Sequence, residues 1–143
     1  MPVIASVRPR VLRYDLQLIH ELCSELNLRS TVVSDDLLEL DLGGDAVLCF
    51  VNSKDEKDCL IGFKGTPWHA HDDFVFTDDR GYVTQLNYLD VLTGLKEGKV
   101  LVCELWHSGS LSDPWLVHCE FNDELNYMQE GDEIRVWKAP KDR

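Results

Sequence analysis

The feature that most constrains this fold is a run of short apolar segments joined by connections of only a few residues. The segments cover 30–34, 37–42, 46–51 and 59–63. A parallel sheet needs crossover connections of about a dozen or more residues, which are usually helical. The connections in this run are much shorter, so the sequence predicts strands that pair antiparallel with their neighbours.

The two central segments of this run form a predicted hairpin. Gly43 and Gly44 separate them, and a glycine pair supplies the positive φ angles that a tight turn needs. In the segment before the turn, leucines alternate with Glu39 and Asp41, so we expect one face of that strand to meet solvent. The segment after the turn is apolar on both sides, which is typical of a central strand.

Two other segments have the apolar spacing of helices. Over 13–27 apolar residues recur at steps of three and four, which predicts a helix with one buried face. Asn27 is the expected stop residue, one that ends the helix in the left-handed conformation. A second helix is predicted over 87–97. Asn87 is its expected N-cap, and Gly98 is the expected residue after its end.

The strongest predicted strands lie near the C-terminal end and are expected to pair antiparallel. They cover 99–107 and 115–121, and the residues between them, 108–114, read SGSLSDP. Because these are turn-forming residue types, they predict a loop. A register with Trp106 opposite Trp115 would give the hairpin a consistent apolar face.

Further strands are predicted at 74–76, 82–84 and 133–137, with a short helical or turn segment at 122–130. Runs of strands set apart from helices predict an α+β fold, with a mainly antiparallel sheet of about six to eight short strands and two helices on one side. A length of 143 residues fits a single domain over 1–143. The ends, 1–10 and 139–143, are expected to be frayed.

The cysteines and the hydropathy indicate the compartment. The five cysteines are an odd number without a CxxC pair, whereas a disulfide framework or a structural zinc site needs paired spacing. We therefore expect free, mostly buried thiols. No window approaches the roughly 18 apolar residues of a membrane span, and the first residues lack the features of a secretory signal. The sequence predicts a soluble, cytoplasmic protein.

The net charge of −12 is concentrated in one part of the chain. Residues 35–80 carry twelve acidic and four basic side chains, a net charge of −8. A negative field of this kind repels phosphate backbones, which disfavours nucleic-acid binding, and it attracts a basic protein. The alternative is that the charge serves solubility alone.

The segment 62–81, GFKGTPWHAHDDFVFTDDRG, is the densest mixture of aromatic, imidazole and carboxylate groups. We interpret its tryptophan and four aspartates as partner-binding, because an aromatic anchor ringed by charge is typical of protein interfaces. The alternative for the tryptophan is a side chain folded back to cap the sheet. The predicted partner-binding residues are Trp68, Asp72, Asp73, Asp78 and Asp79.

The two histidines of this segment suggest a metal site. His69 and His71 point to the same side if the segment is extended, and Asp73 would complete a set of two histidines and one carboxylate that suits zinc or iron. The alternative is a structural role, in which the ring nitrogens bond backbone carbonyls.

Motifs for covalent catalysis and phosphate binding are absent, since the chain has no G-x-S-x-G, GxxxxGK[ST] or GxGxxG. The sequence therefore favours a small acidic protein-binding domain over an enzyme. One form is an inhibitor or immunity protein that masks a basic partner, as a monomer or homodimer, without a cofactor. The alternative is a metal-dependent enzyme or metal-binding domain centred on His69, His71 and Asp73. A third option is a homo-oligomer subunit with paired edge strands.

Overall fold

The structure is a computed structural model that describes residues 3–5, 11–54, 58–66, 68–72, 74–77, 80, 83–119 and 132–139. This part of the chain contains two helices, α1 (Leu16–Glu25) and α2 (Tyr88–Glu97). Its strands are β1 (Val3–Ala5), β2 (Arg29–Ser34), β3 (Leu37–Gly43), β4 (Ala46–Asn52), β5 (Cys59–Phe63), β6 (His69–Ala70), β7 (Phe74–Thr77), β8 (Val83–Leu86), β9 (Val100–His107), β10 (Ser110–His118) and β11 (Asp132–Trp137).

The described strands form three sheets. The largest has the order β2-β3-β4-β5-β6, and every neighbouring pair in it is antiparallel. A second sheet, β10-β9-β11, is also antiparallel. In the third, β1-β8-β7, β7 and β8 are antiparallel and β1 is parallel to β8. The predicted α+β fold with mainly antiparallel pairing is confirmed, with somewhat more strands than the expected number.

The central hairpin, β3–β4, forms at the predicted turn. Gly43 and Gly44 have φ angles of 92° and 57°, a region that residues with a Cβ adopt at a cost. Strand β4 lies between β3 and β5, as its apolar composition on both faces predicts. Along β3, Glu39 and Asp41 are half-buried and the leucines that alternate with them, Leu38, Leu40 and Leu42, are buried, so this strand has one inner and one outer face.

One hydrophobic core joins the inner face of the five-stranded sheet to both helices and to residues of β9 and β10. Burial of each large apolar side chain contributes about 1.5–3 kcal/mol, so this core is the main source of stability. Core members that are at most 1% exposed include Ile19, Phe50, Ile61, Leu92 and Val102.

Helix α1 is shorter than predicted at its start. Asp15 is the N-cap, and its side chain accepts a hydrogen bond from the Leu18 amide at 3.1 Å. The cap satisfies an amide that has no partner within the helix. The predicted stop is confirmed, because Asn27 has a φ of 58°.

Helix α2 begins and ends where its sequence predicts. The Asn87 side chain accepts from the Leu89 and Asp90 amides, and the Asp90 carboxylate accepts from the Asn87 amide at 3.1 Å, which is a complete capping box. Gly98 follows the helix with a φ of 77°. Both ends are therefore set by local chemistry.

The hairpin β9–β10 is antiparallel as predicted, but the predicted register is wrong. The turn consists of Ser108 and Gly109, with φ angles of 50° and 83°, and Trp106 pairs with Leu111 rather than with the second tryptophan. A two-residue turn fixes the register. The sequence predicts a loop over 108–114, but most of these residues belong to β10, an edge strand whose start is exposed. Exposure explains why they have the composition of a loop.

The five cysteines are thiols that form no disulfide bonds, and three of them are buried, as the sequence predicts. Burial raises the pKa of both the Cys23 and the Cys49 thiols. A raised pKa keeps a thiol protonated and lowers its reactivity as a nucleophile.

Some predictions fall on parts of the chain that lie outside the described residues. These parts are 122–130, the expected helical or turn segment, and residues 1, 2, 6–10 and 140–143 of the ends expected to be frayed. Among the described helices, none is long and apolar enough to cross a membrane.

Candidate functional site

The segment that holds the candidate site begins as the edge of the five-stranded sheet. Strand β6 pairs with β5 through Ile61 with Ala70 and Gly62 with His69. A Cβ atom on Gly62 would lie 2.7 Å from the Trp68 carbonyl oxygen, which is closer than such atoms can approach. The glycine therefore lets this edge pair tightly.

Trp68 packs inward at this edge. Its ring centroid lies 5.6 Å from that of Phe63 and 5.9 Å from that of Phe74, and both phenylalanines are core residues. The indole is half-buried. This placement fits the alternative in which the tryptophan caps the sheet, and its role in partner binding stays a prediction.

Asp72 lies in the interior, 1% exposed, with a φ of 62°. Its carboxylate accepts hydrogen bonds from the Val11 amide at 2.8 Å, the Tyr88 amide at 2.7 Å and the Tyr14 hydroxyl at 3.1 Å. Tyr88 begins α2, so the helix dipole also favours a negative charge there. The interpretation of Asp72 as a partner-contacting residue is therefore corrected: its carboxylate joins the segment before α1 to the start of α2.

Tyr14 completes this buried polar cluster. Its amide donates to the Asn52 side chain at 2.7 Å, and the Asn52 amide group donates to the Tyr14 carbonyl oxygen at 3.0 Å. The ring makes edge contacts with Phe50 and Tyr88. Burial, followed by the charge of Asp72, raises the pKa of Tyr14 far above its ordinary value. The hydroxyl thus keeps its proton and donates to the carboxylate.

The two histidines lie together, as their spacing predicts. The ring centroids of His69 and His71 are 5.1 Å apart, and His71 Nδ1 is 3.1 Å from Asp58 Oδ2. Among the described residues that buried nitrogen has no hydrogen-bond partner, so the contact with Asp58 has the distance of an ion pair without the direction of a hydrogen bond. Asp73, the third predicted ligand, lies outside the described residues, among which no group of three or more His, Cys, Asp or Glu is placed to hold a metal ion.

Asp58 is a site residue that sequence reasoning missed. It precedes β5, and the pairing of β5 with β6 brings it beside His71. No local pattern predicted that pairing. The remaining predicted site residues, Asp78 and Asp79, lie outside the described residues, as does Asp73.

A cavity of about 280 Å³ opens beside His71 and Asp58. It lies where the strands β4 and β5 are joined. Its described lining combines aliphatic side chains, a thiol, a hydroxyl, an imidazole and one carboxylate, from Val51, Ser53, Asp58, Cys59, Leu60 and His71.

The outer face of the five-stranded sheet adjoins this cavity. We call seven of its outward-pointing residues, all half-buried, the open sheet face; they are Leu37, Glu39, Asp41, Val47, Cys49, Val51 and Leu60. The register places Leu37 opposite Val51 and Val51 opposite Leu60, which makes an apolar row at the cavity end. Exposed carboxylates stand in the turns at both ends of the face, at Asp35 and Asp45.

Comparison with protein-family models, curated proteins and solved structures gives no match. Function is therefore inferred from the geometry of the described residues.

Proposed function

We propose that this protein is a small acidic protein-binding domain of the inhibitor or immunity type, which masks a basic partner protein. The observation that carries the proposal is the open sheet face, which stays half-exposed while the inner face of the same strands is buried. An apolar centre with a polar, charged rim is the anatomy of a protein interface.

The charge around the open sheet face supports a basic partner. Among the described residues, five carboxylates lie on it or around it, against three basic side chains. Lys64 pairs with Glu39 at 2.9 Å, Arg29 lies opposite Asp41 in the register of β2 and β3, and Lys54 is exposed in the connection that holds Asp58. A face of this sign attracts a positive protein over a distance and speeds its association. The carboxylates are Asp35, Glu39, Asp41, Asp45 and Asp58.

The proposal keeps most of the predicted partner-binding residues. We retain Asp73, Asp78 and Asp79 as partner-binding residues because they follow the edge strand β6 in the chain. We retain Trp68 because its ring is only half-buried. The free thiols support work in a reducing compartment such as the cytoplasm. The negative field argues against a nucleic-acid ligand. We propose a monomer or homodimer without enzymatic activity.

The proposal is tested by reversing charge on two sides of the molecule. A double variant, Asp35→Lys with Asp45→Lys, reverses the charge of the two turns that flank the open sheet face. The control variant Glu21→Lys with Glu25→Lys makes the same change in net charge on exposed positions of α1, which packs on the inner side of the sheet. Each protein is used to capture partners from native extract at low salt, and bound proteins are identified by mass spectrometry.

We expect wild type and the α1 control to retain the same basic protein and the turn variant to lose it. With that protein purified, the loss should lie in the association rate and should shrink as salt rises, since the Debye length falls from about 10 Å at 0.1 M to about 3 Å at 1 M. Equal retention by all three proteins, or no basic protein retained by wild type, would contradict the proposal.

A second candidate is a metal-binding domain or metal-dependent enzyme that uses zinc or iron. The adjacent rings of His69 and His71 favour it, and Asp73 is the proposed third ligand. Protein purified without chelator should then carry about one equivalent of metal, and His71→Ala should remove it. A metal-free preparation that gains no thermal stability from added zinc would contradict this candidate.

A further inference from the structure

The cavity beside the open sheet face has the size and chemistry of a pocket for a single side chain. Its volume of about 280 Å³ is just below the range of roughly 300–1,000 Å³ that is usual for small-molecule sites. Val51 and Leu60 form aliphatic walls, and they also belong to the apolar row of the face. The cavity is therefore continuous with the proposed binding surface.

Asp58 is held in position at this cavity. Its Oδ1 accepts a hydrogen bond from the Cys59 amide at 2.8 Å, and its Oδ2 lies 3.1 Å from His71 Nδ1. The side chain remains 28% exposed. Because the carboxylate is partly exposed, a donor group of a ligand can reach it, and a fixed carboxylate loses little freedom when a ligand binds.

One described arginine at the rim of this cavity is already engaged. Arg13 donates to the Ser53 carbonyl oxygen at 3.3 Å and pairs with Asp36 at 3.1 Å. It thus lies at the rim of the cavity, and its charge is directed to a different carboxylate.

We propose that this cavity receives an arginine side chain of the basic partner, so that the inference rests on the proposed function. The three methylene groups would lie against Val51 and Leu60, as long cationic side chains commonly place their stems on apolar surface. The guanidinium would donate to the Asp58 carboxylate. Arginine fits better than lysine because its planar fork can make paired hydrogen bonds with a carboxylate and is less strongly hydrated.

The test uses a probe in place of the partner: N-acetyl-arginine amide, titrated into the ¹⁵N-labelled protein and followed by amide chemical shifts. N-acetyl-citrulline amide has nearly the same shape without the charge, and N-acetyl-norleucine amide supplies the apolar stem alone. We expect the arginine probe to shift the amides of Ser53, Asp58, Leu60 and His71 with a dissociation constant on the order of millimolar. Both control probes should bind at least about tenfold more weakly, since they lack the charge-assisted bonds.

Two variants locate the binding. Asp58→Asn keeps an oxygen that can accept from the Cys59 amide and removes the charge, so it should weaken the arginine probe about tenfold. Leu60→Trp fills the cavity and leaves Asp58 unchanged, and it should also abolish the shifts. A native amide spectrum outside the cavity shows that each variant is folded.

The outcomes separate this inference from the proposed function. Equal binding of the norleucine and arginine probes, or unchanged binding to Asp58→Asn, overturns the arginine pocket. If the partner still depends on Asp35 and Asp45 in that case, the proposed function stands without the pocket. If the arginine probe binds as expected and no basic partner exists, the pocket stands and the proposed function fails.

Discussion

Replacing Asp72 with alanine should destabilise the protein strongly, although the substitution removes only one carboxylate group. Asp72 is 1% exposed and accepts three hydrogen bonds. Alanine would leave the Val11 and Tyr88 amides and the Tyr14 hydroxyl buried without that acceptor, at about 1–3 kcal/mol each. Loss of the buried negative charge offsets part of this cost.

The backbone adds to the cost. Asp72 has a φ of 62°, a conformation that aspartate and asparagine tolerate better than alanine does, by about 1 kcal/mol. We expect a net loss of about 3–5 kcal/mol, against a total of about 5–15 kcal/mol for a domain. The midpoint of urea denaturation should therefore fall by about 2 M.

Two control variants make the measurement specific. Asp72→Asn keeps one acceptor oxygen and the same backbone preference, but its NH2 group replaces the other acceptor, so it should lose less than the alanine variant, about 1–3 kcal/mol. Asp45→Ala, in an exposed turn, should change the free energy of unfolding by no more than about 0.5 kcal/mol. Hydrogen exchange should show lost protection at the Val11 and Tyr88 amides in Asp72→Ala. An alanine variant within about 0.5 kcal/mol of wild type would refute the reasoning.

Three further predictions concern stability. Burial raises the pKa of Tyr14, so the stability that its protonated hydroxyl contributes is complete below about pH 10 and is lost as the pH rises above that value. Above about pH 10 the free energy of unfolding should therefore fall less steeply with pH for Tyr14→Phe than for wild type. Parallel plots of that free energy against pH for the two proteins would contradict this. Gly94→Ala would place a Cβ 2.5 Å from Val100 Cγ2 and should cost about 1–2 kcal/mol despite better helix propensity. In a Val100→Ala background the same change should cost much less, because only the Cβ of residue 100, at 3.2 Å, remains close. An unchanged cost in that double-mutant cycle would rule out the clash with Cγ2. Trp68→Ala should cost about 2–3 kcal/mol by opening the contact with Phe63, and an unchanged melting temperature would show that the ring does not cap the core.

Local chemistry determined much of the fold. The capping residue Asn87 and the stop residues Asn27 and Gly98 have the roles that the sequence predicts. The glycine pair at 43–44 makes the hairpin turn. Each of these signals acts through neighbours within a few residues, so a single sequence suffices to predict it.

The hairpin of β9 and β10 shows where such signals fail. The mostly polar residues at 110–113 have the composition of a loop, yet they form the start of an edge strand, most of it exposed. Polar residues occur both in loops and on exposed strands, so residue type alone does not distinguish the two. The strand that pairs with this segment decides between them, and that pairing is fixed by the turn at Ser108 and Gly109.

The candidate site depended most on tertiary structure. The sequence determined that acidic and imidazole groups are dense around 62–81, and the proximity of His69 and His71 follows from their spacing. The tertiary structure, and not the local sequence, decided whether a given aspartate is exposed to solvent. Asp72 is buried because the amide that reaches it comes from Val11, 61 positions away, and Asp58 meets His71 because β5 and β6 pair. A carboxylate can be buried only where donors converge on it, and donors that far apart in the chain leave no local pattern in the sequence.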